Sequence, residues 1–250
     1  MAKKKKTPRR VGSVILFILS LLTAIFLFAS EYIGYDLSPL YQVMLFILSS
    51  ALAVVGERIQ MKIQSRKNRD KGMKTILSLI LVMYALLLIK YTVFDGYYGR
   101  NISKIGALSV EKIREHMKTR CNLVPFSTID LMFNGYENGD LSKKNLLVNI
   151  AGNLAAFMPT ALLLPLISDR QKRILPYFLT VSASIIAVEI TQVVLTVGSG
   201  DIDDYILNIV GALVLYMILH IKPIGTLAEK CFRLDYFRRK KQKNRQGNNR

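Results

Sequence analysis

Six apolar blocks, each about 17 to 24 residues long, predict an all-α polytopic membrane helix bundle: six transmembrane helices, both termini cytoplasmic, and a short interfacial helix in the long outer loop. Hydrophobic residues make up 51% of the 250. They fall at 11–30, 37–55, 73–89, 146–167, 174–197 and 205–221. Blocks of that length cross about 30 Å of hydrocarbon as helices, because each backbone N–H and C=O must be satisfied within its own segment.

The first block is too long for the core of a signal peptide and lacks a small-x-small cleavage site, so Lys3 to Lys6, Arg9 and Arg10 read as the flank of a retained anchor. The short acidic turn 31–36 joins it to the second block, and a basic connector, 58–74, follows. Together they predict an N-terminal hairpin with its connector over residues 1–72, expected to be scaffold. A four-helix domain spans 73–221, and a basic tail fills 222–250. Inside the outer loop 90–145, residues 109–118 read as a short helix: Ser109 caps it, Glu111 suits its positive end, and Val110, Ile113 and Met117 share one face.

Charge orients the bundle. With the N-terminus inside, the segments 1–10, 56–74, 168–173 and 222–250 hold six, seven, three and ten of the 35 Lys and Arg, while the outer loops 31–36 and 198–204 hold none. The net charge of +18 is then mostly positive-inside bias, with the tail near anionic lipid heads. Nucleic acid is not the expected partner, since no aromatic interleaving accompanies the basic run. Cys121 and Cys231 fall on opposite sides and cannot pair, and neither histidine has a second ligand at metal spacing.

Glu189 is the single acid inside these six blocks, and Lys74, at the very edge of the third, is the single Lys or Arg. A carboxylate at the centre of a membrane helix costs roughly 2.5–3.5 kcal/mol even on lenient insertion scales, so it is expected to face protein or water and to have a task. Other polar residues gather at its level. Asn149 and Asn153 share a face of helix four, roughly 5 and 10 Å below its outer end, and Gln192 and Glu189 share a face of helix five, roughly 8 and 12 Å below. Asp201, Asp203 and Asp204 lie in the outer turn, and Asn208 about one turn into helix six. Convergence on one outward-facing pocket is therefore expected. Duller roles compete: an aspartate capping helix six, asparagines as interhelical glue, and Pro159 and Pro165 as bends in helix four.

Four blocks in order give the chain a resemblance to the VanZ-like family of bacterial membrane proteins. They are Asn122-Leu123-Val124-Pro125-Phe126 with Thr128 and Ile129, Asn149-x-x-x-Asn153-x-x-x-Phe157-x-Pro159, Glu189-x-x-Gln192, and Asp201-Ile202-Asp203-Asp204 with Asn208 and Gly211. The resemblance covers about residues 75–220. Two departures stand out: Ala161 where the family usually has Gly, and no Arg before the acidic turn. What the resemblance implies is a cell-envelope setting linked with tolerance of teicoplanin-class glycopeptides.

Two functions follow as expectations. In the first, the pocket binds a lipid-linked cell-wall precursor, a teichoic-acid component or a partner, with Asn149, Asn153, Gln192, Asn208, Asn122, Pro125 and Phe126 forming the binding surface among membrane lipids. In the second, a membrane-embedded enzyme uses a divalent cation held by Asp201, Asp203 and Asp204, with Glu189, Asp203 and Asp204 as its catalytic carboxylates. No Ser or Cys with an adjacent base completes a catalytic set, which favours binding. Replacing Glu189 or Asp203 by its amide is expected to leave the protein intact, on the premise that each is a buried charge without a partner.

Overall fold

The computed structural model describes residues 6–94 and 109–237, mostly helix joined by turns and short irregular segments, with one isolated parallel bridge, Asn122 to Asp201. The basic flank at Lys3 to Lys5 and most of the Lys/Arg-rich tail lie outside the described residues. Six helical stretches are long and apolar enough to cross a membrane: Pro8–Ala29, Pro39–Gln60, Asn68–Val93, Lys143–Ile167, Ile174–Val194 and Ile202–His220. Among the described residues these are the six candidate spans, in the number that the apolar blocks predict. It divides into two compact units, Met1–Leu123 with Val188–Asp201, and Val124–Ala187 with Ile202–Arg250.

In the first unit, α1 (Lys6–Ala29) and α2 (Pro39–Gln60) form an antiparallel hairpin. Small residues let the backbones approach. The Ser20 hydroxyl donates to the Ser49 carbonyl and the Ser49 hydroxyl to the Ser20 carbonyl, each at 2.9 Å, while Gly56 admits the ring of Phe17. Ser13 adds a hydrogen bond to Gln60 Oε1 at 2.8 Å. The outer side of α1 leaves Val14, Ile18, Leu22 and Ile25 more than half exposed, which suits lipid. α3 (Arg66–Ile89) runs into a π-helical turn, Lys90–Phe94. There Lys90 reaches Glu31 at 2.6 Å and Gln42 Oε1 at 2.8 Å, tying the end of α3 to the hairpin's acidic turn and the start of α2. The helix expected at 109–118 is α4 (Val110–Arg120), and Ser109 caps it, accepting from the Lys112 N–H at 3.2 Å.

The second unit contains α5 (Ser127–Glu137), α6 (Lys143–Ala156), α7 (Met158–Ile167), the first part of α8 (Ile174–Val194), α9 (Ile202–His220) and α10 (Lys222–Phe232). The fourth span is two helices. They part at Phe157, because Pro159 has no N–H to donate and its ring excludes the Ala155 carbonyl from ordinary helical geometry. Just past the break, the Thr160 hydroxyl donates to the Phe157 carbonyl at 2.6 Å, and Tyr177 meets that hydroxyl at 3.0 Å. From there an aromatic ladder descends: Tyr177 stacks on Tyr216 with centroids 4.2 Å apart, Tyr216 lies against His220 at 4.0 Å, and His220 lies against Tyr236 at 5.1 Å.

The tail holds more order than its basic composition suggests. Beyond α10 the chain turns back, Glu229 accepts the Tyr236 and Phe237 N–H groups, and the fully buried Tyr236 donates to the Ala161 carbonyl at 2.8 Å. Burial pushes the Tyr236 phenol well above its usual pKa, so it stays a neutral donor.

α9 is the hub of this unit, packing on α6, α7 and α10. Gly211 makes the approach possible, since a β-carbon there would collide with the Leu154 carbonyl of α6. Gly211→Ala is expected to cost about 1–3 kcal/mol, read as a lower unfolding midpoint in detergent. Gly152→Ala is the control, because a β-carbon there meets nothing within 4 Å. Equal midpoints for the two variants would contradict this packing.

Candidate functional site

The most densely bonded carboxylate of the second unit belongs to Asp203, in the first turn of α9 and only 1% exposed. Its oxygens accept three backbone N–H groups: Phe126 on Oδ1, and Thr128 at 2.9 Å and Ile129 at 3.1 Å on Oδ2. These are the amides at the N-terminus of α5, which would otherwise lack acceptors. Phe126 adopts a left-handed φ of 65°, a conformation that costs a bulky residue on the order of 1 kcal/mol and turns the successive N–H groups toward one point. Asp203 therefore caps a different helix from its own. Its charge also sits at the positive end of α9.

The neighbouring side chains line the contact of α6 with α9. Asn153 donates through Nδ2 to Asp204 Oδ1. Asn208, one turn along, donates to the Asp204 backbone carbonyl at 2.7 Å, and its own Oδ1 is buried without a donor. An amide oxygen in that position calls for a hydroxyl, an N–H or a water. Asn149 does not join them: it is exposed and bonds back to the Asn145 carbonyl of its own helix at 2.9 Å. Pro125 and Phe126 are exposed on the loop whose amides Asp203 holds.

The other expected residues belong to the first unit. The Asn122 N–H bonds to the Gly200 carbonyl at 2.9 Å, pairing this strand-like segment with buried Asp201. Gly200 lies so close to Cys121 Sγ and Val193 that a larger residue would displace them. Gln192 is buried and donates to the Thr92 carbonyl at 2.8 Å, which holds the end of α8 to the π-helical turn after α3. Glu189 is half-buried one turn earlier. His116 contributes a contact that the sequence did not advertise: its Nε2 lies 2.6 Å from the Gly198 carbonyl and pins α4 to the turn after α8.

Two expectations change. Among the described residues, no three His, Cys, Asp or Glu side chains are grouped to hold a metal, and Asp203, expected as a ligand with Asp201 and Asp204, is turned to backbone amides. Asp203 is not a buried charge without a partner, and its amide variant should not be harmless. Glu189 remains the one acid inside an apolar block, but the spanning helices run on past those blocks, and α2 carries Glu57 beyond its own. An Asn at 203 has one acceptor oxygen for three donors. Asp203→Asn is expected to cost about 2–3 kcal/mol and to speed hydrogen exchange at Thr128 and Ile129, with α3 as an unaffected reference. Unchanged exchange at those amides would refute the anchoring role.

The model of the family described as VanZ/LLP1 matches residues 80–223, more than half of the chain. No curated protein and no solved structure matches it. The matched stretch contains the residues gathered above from Thr92 to Asn208, and leaves α1 and α2, with Glu57, outside.

Proposed function

The chain belongs to the VanZ/LLP1 family and is a multi-pass membrane protein, and on that footing we propose that it binds a lipid-linked component of the bacterial cell envelope and thereby alters sensitivity to glycopeptides of the teicoplanin class. The ligand class is a cell-wall precursor or teichoic-acid lipid, held by its polar head at the start of α9. The observation that carries binding is the buried Asn208 Oδ1 beside Asn153 and Asp204, an acceptor that a sugar hydroxyl or amide N–H would fill. Asp203 supports binding over metal-assisted catalysis, since its lone pairs are directed to three amides that order the Phe126 loop. The basic residues support a cytoplasmic-membrane protein with both termini inside and the start of α9 facing outward.

Two experiments test this reading. Asn208→Ala and Asp204→Asn should lower teicoplanin tolerance at normal protein abundance, because each removes part of the head-group surface. Full tolerance in both variants would remove the site, and turnover of an envelope lipid in the presence of magnesium would favour the enzyme instead. For orientation, impermeant thiol reagent should label Tyr32→Cys in intact cells, where Tyr32 is 92% exposed, and reach Cys231 only after permeabilisation. The reverse labelling would turn the bundle over.

A further inference from the structure

A cavity in the first unit lies outside the cluster just described, among α1, α2 and α3. It is an open groove of about 1270 Å³, larger than the roughly 300–1,000 Å³ typical of clefts for drug-sized ligands. Its two parts differ in chemistry. Along α3, from Gly72 to Leu86, it is walled mainly by apolar residues such as Ile76, Leu79 and Met83, and Leu21, Ile25 and Phe28 of α1 close the other side. That wall is about 21 Å long at 1.5 Å per residue, more than the roughly 15 Å of one leaflet's hydrocarbon. At the connector end stand Glu57, Gln64, Asn68 and Lys71.

Glu57 is the informative residue. It is 5% exposed, its carboxylate lies against Gly72, and its Oε1 has no hydrogen-bond partner. Gln64 Oε1 is a second buried acceptor without a donor at the same end. Two such acceptors, one able to carry charge, call for a cation with several N–H donors. The exposed Lys71 nearby suits an anion. A primary ammonium and a phosphate on one short head, carrying acyl chains, match that order.

We propose that this groove is a lipid site that takes one aminophospholipid, its ammonium on Glu57 and Gln64, its phosphate toward Lys71, and an acyl chain along the α1–α3 wall. The polar end of the site, from Glu57 to Lys71, lies in the part of the chain that the family match leaves out, and the apolar wall runs from there into the matched stretch. It gives the hairpin a task beyond scaffolding and does not depend on the envelope-lipid reading of α9.

The test is native mass spectrometry of the purified full chain, released from nanodiscs of equal parts phosphatidylethanolamine, phosphatidylcholine and phosphatidylglycerol. One phosphatidylethanolamine should remain bound, at least tenfold enriched over phosphatidylcholine, whose quaternary head cannot donate hydrogen bonds. Glu57→Gln should abolish the enrichment. Leu79→Trp, which fills the groove and leaves the polar end untouched, should lower retention of all three lipids. Asn208→Ala should change nothing here, which separates this site from the one at α9. Equal retention of the three lipids by the native chain means annular lipid only and overturns the proposal. Preferential retention of phosphatidylglycerol overturns the assigned head group, and undiminished enrichment in Glu57→Gln overturns the role of the carboxylate.

Discussion

A carboxylate removed from water loses several kcal/mol of solvation unless its lone pairs are filled, and Asp203 meets this requirement with three amides from the start of α5. The same contact solves the complementary problem, since the first turn of a helix has N–H groups without acceptors. Two unfavourable ends thus satisfy each other. The left-handed turn at Phe126, unfavourable by itself, is held because it aims those amides at one side chain. The loop with Pro125 and Phe126 is thereby fixed to the first turn of α9, where Asp204, Asn153 and Asn208 also meet.

The rest of the second unit is arranged around α9 by close approach and by polar groups that supply their own partners. In a membrane, association between helices depends on van der Waals contact and hydrogen bonds, because lipid is as apolar as a leucine surface. Gly211 provides the first by letting α9 lie against the α6 backbone. Thr160, Tyr177, Tyr216 and Tyr236 provide the second, and each buried hydroxyl finds a partner. The break at Phe157 is part of this scheme, since Thr160 bonds to the Phe157 carbonyl there and Tyr177 to the Thr160 hydroxyl.

The first unit follows a looser rule. Its hairpin is joined by a reciprocal pair of serines and by the small surface of Gly56, while α3 stands far enough away to leave a groove. Glu57 is buried at the mouth of that groove and packs on Gly72, so the polar end of the cavity and its apolar walls belong to one surface. Gln192 and His116 act elsewhere in the unit as fasteners to backbone carbonyls.

Local pattern determined the six spans, the cap at Ser109 and the family, because hydrocarbon thickness dictates block length and a capping serine acts within one turn. The polar residues worth examining were equally legible, since such groups are costly in lipid and few in number. Their roles were not legible. Sequence presents Asp203 as one of three clustered acids, and nothing local reveals that the amides it holds lie 74 to 77 residues away. Glu57 escaped notice because α2 runs past its apolar block to Gln60, where hydropathy no longer marks the helix. α10 and the return of Tyr236 to Ala161 were hidden by a basic composition that reads as solvated tail. The amino-acid pattern determines which residues are too costly to be idle, whereas only the tertiary structure decides which distant group satisfies each of them.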